Sequence, residues 1–274
     1  MRFQSTLFFF ARIFCTMESI TLVWEDIVSK DMQMADDGTP VERMQDGVRA
    51  VIFDMDNTLF DLIGAKMAAS NTASEYLGRD DGQDFFDYFL RPDWGFEDWR
   101  NIRDYLLDRD LFTIPRYFEV CNLYEQEKLN HISPYPGVNQ IILEIRQKGI
   151  PLGLVTDADM YHAKRRLEKA GLSDAFDHIV TYEMTGRKKP DTAPFLLALR
   201  KLGSRSSVTA MVGDSPHRDI VPAREVGMRT FYARYGDRLA DTRGEVPAEY
   251  ILNTISDLPR LLYPLFQQPS KIEK

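Results

Sequence analysis

Cysteine is scarce in this 274-residue chain: Cys15 and Cys121 lie far apart and form no ligand-like pattern. That scarcity argues against a disulfide-stapled scaffold and points to a reducing, cytoplasmic setting. Basic charge is also short, with 34 Lys and Arg against 42 Asp and Glu, a net charge of −8. General nucleic-acid binding draws its affinity from Lys and Arg on phosphates, so no nucleic-acid partner is expected. A small phosphorylated molecule stays open, because it needs only a local basic group or a metal. Long hydrophobic runs are missing too. The apolar stretch at residues 7–15 is broken by Arg12 and falls short of the ~20 apolar residues of a membrane-spanning helix. No A-x-A-like cleavage site follows it, which argues against a secretory signal. Residues 1–46 are therefore expected to be a poorly ordered extension, with Met17 as an alternative start, and no membrane partner is expected.

What the chain does have is enough apolar material for a full core: 44% hydrophobic and 28% charged residues, as in soluble globular proteins. Residues 50–53, 151–155 and 208–212 are continuous apolar runs, ending at Asp54, Thr156 and Gly213-Asp214. Shorter runs of the same kind lie at 178–181, 230–233 and 250–252. Runs that are apolar on both faces and rich in β-branched residues fit strands buried in a parallel sheet. Between them the apolar period becomes helical, with Ile141, Ile142 and Ile145 before Gly149, and Phe195, Leu196, Leu199 and Leu202 before Gly203. Strands alternating with helices predict right-handed crossovers and an α/β, doubly wound parallel sheet.

One interval breaks the alternation. Residues 62–132 offer no strand run but many helix formers and aromatics, among them Phe85, Phe89, Trp94, Tyr105, Phe118 and Tyr124. This predicts a helical insertion with its own small aromatic core. The chain would return to the main domain through Pro134-Tyr135-Pro136-Gly137, a turn-rich joint. The expected layout is an extension over 1–46, a core from 47–61 and 133–274, and a smaller helical domain over 62–132.

Polar residues gather at the predicted strand ends, and open α/β sheets bind ligands outside the carboxyl ends of their strands. Asp54 and Asp56 follow the first run, Thr156 and Asp157 the second, and Asp214 the third, with Asp219 about one turn on; Lys188 and Lys189 precede a predicted helix. Phosphoryl transfer needs a nucleophile, an acid for the leaving oxygen and positive charge on the transferring group. Asp54 can attack, Asp56 can protonate the leaving oxygen, Lys189 can add charge, and the Thr156 hydroxyl can bond a phosphate oxygen. Carboxylates this close repel, so a cation is expected, and oxygen ligands suit Mg²⁺. Singly, each piece has a plainer reading. Asp-x-Asp-x-Thr is an ordinary turn sequence, Arg187-Lys188-Lys189 a solvated basic run and Thr156 a helix cap. His162 and His217 read as surface residues without a role.

Together, in this order, the pieces resemble a known family. Asp54-Met55-Asp56-Asn57-Thr58-Leu59-Phe60-Asp61 is similar to the first motif of haloacid dehalogenase superfamily phosphatases. Thr156, Lys189-Pro190-Asp191 and Gly213-Asp214-Ser215-Pro216-His217-Arg218-Asp219 resemble the second, third and fourth. The resemblance spans residues 51–236. It implies a Rossmann-like core with a helical cap after the first motif, and a Mg²⁺-dependent hydrolase acting on a small phosphorylated metabolite. It further implies that Asp54 is nucleophile and metal ligand, and that Asp56 is acid, then base, with its main-chain carbonyl on the metal. Asp214 becomes a metal ligand, Thr156 and Lys189 phosphoryl holders, and Asp219 a support for the metal or Lys189. Asp157 departs from the Asn of many relatives and receives no role; Lys188 is the substitute if Lys189 faces solvent.

Family members that cleave carbon–halogen or carbon–phosphorus bonds generally lack an acid at the place of Asp56, so this residue favours phosphate esters. A phosphosugar mutase shares all these residues and stays open, as does a non-catalytic binding protein on the same fold. A monomer and a homodimer are equally compatible with the chain.

Overall fold

The computed structural model describes residues 47–238 and 246–266. The extension expected over 1–46, with Cys15, lies outside the described residues. In chain order the elements are β1 (Ala50–Phe53), α1 (Leu62–Tyr76), α2 (Gly82–Asp87), α3 (Arg100–Leu107), α4 (Ile114–Asn130) and α5 (Val138–Gln147). They continue with β2 (Leu152–Thr156), α6 (Met160–Lys169), β3 (His178–Thr181), α7 (Tyr182–Thr185) and α8 (Ala193–Leu202). The last are β4 (Thr209–Gly213), α9 (Val221–Glu225), β5 (Arg229–Ala233), β6 (Tyr250–Leu252) and α10 (Leu258–Leu262).

The six strands form one sheet in the order β3-β2-β1-β4-β5-β6, and every pairing is parallel. β1, β2 and β4 are buried along their whole length, as their two-sided apolar composition requires. The strand order reverses between β1 and β4, which run side by side with Phe53 opposite Val212. Such a switch point leaves a crevice at the carboxyl ends of the two strands. β2 and β4 each begin one residue later than the apolar runs suggest. Pro151 has no N–H to give a ladder, although its carbonyl accepts from Val51 N–H at 3.0 Å. Val208 closes a short 3₁₀ turn instead of opening β4.

Helices cover both faces. α5 turns Val138, Ile141, Ile142 and Ile145 inward. α8 buries Phe195, Ala198 and Leu199, while Leu196, expected on the same face, is exposed. Gly203 ends α8 with φ 59°, a left-handed conformation that suits glycine. Among the described residues no helix is long and apolar enough to cross a membrane.

A smaller helical cap lies between β1 and α5. It contains α1 to α4 and, among the described residues, no strand of the sheet. Phe85, Phe89, Tyr105 and Tyr124 are buried together with Ile102, Leu106, Val120 and Cys121; the Phe89 and Tyr124 rings stack at 4.9 Å. Phe118, counted among the aromatics of that core, is instead exposed. The chain returns to the sheet where Phe60 bridges Pro134 and Tyr135 N–H donates to Leu59 O at 2.9 Å.

Ile52 sits fully buried in the central strand, with its Cγ1 against the backbone of Gly153. Ile52→Ala is expected to cost about 2–5 kcal/mol, read from the urea unfolding midpoint; an unmoved midpoint would contradict this account of the core.

Candidate active site

The loop after β1 is shaped before any chemistry is considered. Asp54 N–H donates to Val212 O at 2.8 Å, extending the β1–β4 pairing into the crevice. The chain then curls back: Leu59 N–H reaches Met55 O at 2.9 Å and Asn57 N–H reaches Phe60 O at 2.8 Å. Asn57 takes φ 63°, a left-handed conformation that Asn tolerates better than most side chains. Its Oδ1 accepts from Ile63 N–H at 3.1 Å in the first turn of α1, which is capped by Asp61 through Gly64 N–H at 2.8 Å. Gly236 passes so close that a Cβ there would fall 1.7 Å from Asn57 O. Gly213 is constrained too, since a Cβ would meet Asp219 Cβ at 2.5 Å.

Three carboxylates meet in this crevice. Oxygens of Asp54, Asp214 and Asp219 all lie within 4.8 Å of one another, and all three residues are buried. Lys189, also buried, bonds Asp54 Oδ1 and reaches Asp219 Oδ1 at 2.6 Å. Burial opposes the charge on Lys189, but Asp219 and Asp54 outweigh it and hold the ammonium above the ordinary lysine range. Burial, with Asp54 and Asp219 alongside, pushes the Asp214 carboxyl well above the usual carboxylate range. Burial also raises Asp219, although Lys189 works against it. The Thr58 hydroxyl accepts from Asp214 N–H at 3.0 Å and lies 3.1 Å from Asp54 Oδ2 and 3.2 Å from Asp214 Oδ1. Its single hydrogen serves one of those two oxygens at a time.

This donor set fits a hard divalent cation. It offers carboxylate oxygens without thiolate or imidazole, and three carboxylates exceed the one ammonium bonded to them. Asp219 is the least available of the three. Its Oδ1 is taken by Lys189, and its Oδ2 accepts from Ser215 N–H at 3.0 Å.

Asp56, two residues beyond Asp54, turns elsewhere. Arg166 Nη1 on α6 bonds both its oxygens at 2.9 Å, and Arg166 Nη2 bonds Glu97 of the cap. Burial pushes the Asp56 carboxyl up to about 6; Arg166 opposes this, while Glu97 and Asp54 add to it. Thr156 is the last residue of β2. Its hydroxyl accepts from Ala158 N–H at 3.2 Å, while the cap of α6 is Asp159, which accepts from His162 N–H at 2.9 Å. Asp157 Oδ1 accepts from Lys189 N–H at 2.9 Å, and Oδ2 lies 3.5 Å from Arg218 Nη1. It therefore braces the lysine segment. Lys188 is exposed, with its ammonium 4.9 Å from the Tyr182 ring centre. His162 Nδ1 lies 2.6 Å from Asp159, and His217 is exposed.

Thr58, Arg166 and Glu97 were not singled out from the sequence. Thr58 stands inside the first motif, where a hydroxyl four residues from a strand-end acid was a usable signal. For Arg166 the signal was an arginine on the buried face of α6, beside Ala163 and Leu167. Glu97 carries no local signal at all.

Residues 51–233 match the model of the haloacid dehalogenase-like hydrolases, and the chain belongs to that family. Among its relatives, the glyceraldehyde 3-phosphate phosphatase of Pyrococcus furiosus is 28% identical over 78% of this chain and 92% of its own length. The ribulose-1,5-bisphosphate 5-phosphatase of Halopiger xanaduensis is 30% identical over 78% of this chain and 98% of its own. A solved HAD phosphatase from Thermococcus onnurineus is 26% identical, with TM-score 0.57 over 78% of this chain and 98% of its own. The candidate HAD-hydrolase YfnB of Bacillus subtilis, solved with magnesium, shares the fold at TM-score 0.65 and 19% identity, over 79% of this chain and 99% of its own.

A divalent cation that binds only the folded chain should stabilise it by mass action. Adding Mg²⁺ at about 100 times its dissociation constant is expected to contribute about 2.7 kcal/mol, seen as a rise in melting temperature. Asp214→Asn should suppress that rise; an equal rise in the variant would remove Asp214 from the cation site.

Proposed function

We propose that this chain is a Mg²⁺-dependent phosphatase that hydrolyses a small phosphorylated metabolite through an aspartyl-phosphate on Asp54. The observation that carries the reading is the convergence of Asp54, Asp214 and Asp219 around Lys189 at the switch point of the sheet. The names of the relatives support the substrate class, since they act on phosphorylated small molecules.

In this reading a carboxylate oxygen of Asp54 attacks phosphorus. An O–P bond forms on Asp54 as the ester P–O bond breaks, and the carboxyl proton of Asp56 passes to the leaving oxygen. Asp56, now ionised, takes a proton from water. The hydroxide oxygen bonds to phosphorus, the Asp54–phosphorus linkage breaks, and inorganic phosphate leaves with Asp54 restored. A carboxyl raised to about 6 suits both halves, because it gives up and regains a proton near neutral pH. Lys189 and the Thr156 hydroxyl hold phosphoryl oxygens. Asp54, Asp214 and the main-chain carbonyl of Asp56 would hold Mg²⁺, with Asp219 supporting Lys189 from behind. The ion's chemistry there is to offset negative charge on the transferring group. Residues 62–132 act as the cap that excludes water and meets the leaving group.

The test is phosphate release from a panel of small phosphate esters, with glyceraldehyde 3-phosphate, phosphoglycolate and ribulose 1,5-bisphosphate among the first, with Mg²⁺ and with chelator. Turnover should require the ion. Asp54→Asn should abolish it, and Asp56→Ala should lower kcat by about 10²–10⁴-fold. Full activity in Asp56→Ala would sink the assignment, and an isomerised sugar phosphate in place of free phosphate would replace hydrolysis by mutase chemistry.

A further inference from the structure

The reaction scheme gives no work to the buried arginine that touches Asp56. Arg166 on α6 is 2% exposed and lies 110 positions from the acid it contacts. Its fork is divided. Nη1 donates to both oxygens of Asp56 at 2.9 Å, and Nη2 donates to Glu97, which belongs to the cap. Glu97 also lies 3.9 Å from the ammonium of Lys128 on α4. A core arginine therefore joins the acid on one side to the cap on the other.

We propose that Arg166 is the positioning residue for Asp56, setting the direction of its carboxyl group, and that Glu97 fixes Arg166 from the cap side. The proposal rests on the phosphatase reading above and adds a residue to it. Asp56 follows a strand end within a loop, and its side chain has two free torsions. Two bonds from a single guanidinium nitrogen fix both torsions while leaving each oxygen a further lone pair for the transferred proton. Arg166 is well suited to this, since its own side chain is 3% exposed and a planar fork loses little freedom per bond formed. Misplacement of a reacting group by 1 Å costs on the order of 10²-fold in rate. A purely structural ion pair would predict something different: general loss of folded protein, equal for all substrates.

The distinguishing measurement is the dependence of kcat/KM on the leaving group. This constant covers attack by Asp54 and departure of the leaving oxygen, where the proton of Asp56 is used; the later hydrolysis step is common to all substrates. p-Nitrophenyl, phenyl and glycerol phosphates form a series of increasing need for that proton. In Arg166→Met the loss should grow along the series, from about 3-fold for p-nitrophenyl phosphate to about 10²-fold for glycerol phosphate. Arg166→Lys, a point charge that cannot divide a fork, should show nearly the same slope. Glu97→Gln, which leaves the core residues intact, should show the same trend with smaller losses, and it carries the test if Arg166→Met does not fold.

Equal losses across the series in both Arg166→Met and Glu97→Gln would overturn the proposal, as would full recovery in Arg166→Lys. The phosphatase reading is tested separately by the unchanged protein. If it releases phosphate with Mg²⁺ neither from these three esters nor from the metabolite panel, that reading fails and the role of Arg166 falls with it. If it hydrolyses them and the variants keep the original slope, only Arg166 loses its role.

Discussion

Like charge crowded into the crevice between β1 and β4 is the constraint from which the rest of the site follows. Asp54, Asp214 and Asp219 are each less than one-twentieth exposed, and ionised carboxylates out of water cost several kcal/mol apiece unless partnered. Two partners come from far along the chain: Lys189, after β3, reaches Asp54, and Thr58, after β1, reaches Asp214. Both need the sheet to be assembled, whereas the main-chain N–H of Ser215 serves Asp219 from only four residues away. The two glycines serve the same end. Gly213 lets Asp219 approach the end of β4, and Gly236 lets its own segment lie against the loop after β1. With the lysine in place the three carboxylates still outnumber it, and Asp214 is raised chiefly by burial, with Asp54 and Asp219 adding to it. A folded site that keeps an excess of carboxylates suits further positive charge.

The seam between cap and core solves the same problem the opposite way. Glu97 is held below the ordinary carboxylate range because Arg166, Lys128 and Lys66 outweigh its burial. Glu125 is likewise lowered, chiefly through Lys128, against burial. Lys66 is fully buried under the rings of Phe89 and Phe96, at 4.1 and 4.0 Å, and burial lowers it well below the lysine range. Charges along the seam are thus matched, and those in the crevice are not. Asp56 sits where the two regions join, touched by the seam's arginine and felt by the crevice's Asp54.

Much of this was legible in the sequence, for a physical reason. A strand buried on both faces must be apolar throughout, so β1, β2 and β4 announced themselves as runs, and their polar successors had to fall on one rim. That placed Asp54, Asp56, Thr156, Asp214 and Asp219 from strand ends alone. The strand starts were off by one because Pro151 has no N–H to donate and Val208 closes a 3₁₀ turn, although their carbonyls accept from Val51 and Arg49. Direction was harder to see than position. Asp157 received no role from the sequence, and it turns to Lys189 N–H and Arg218. Leu196 fits the helical period of α8 and still faces water. Partnerships across long separations were invisible, since nothing local to Arg166 or Glu97 states that they meet.

The separation of Asp54 from Asp56 shows why fold and chemistry are hard to pull apart here. One residue stands between them, and in a regular strand both would share one face. The chain instead leaves the ladder at Asp54, and the curl around Asn57 carries Asp56 away from the carboxylate cluster toward α6. Had the strand simply continued, both carboxylates would have shared one face, adding to the repulsion around Lys189. Breaking the ladder there gives two adjacent carboxylates different neighbours, one lysine-bound and one arginine-bound. Different neighbours are what allow chemically identical side chains to take different parts in a single reaction.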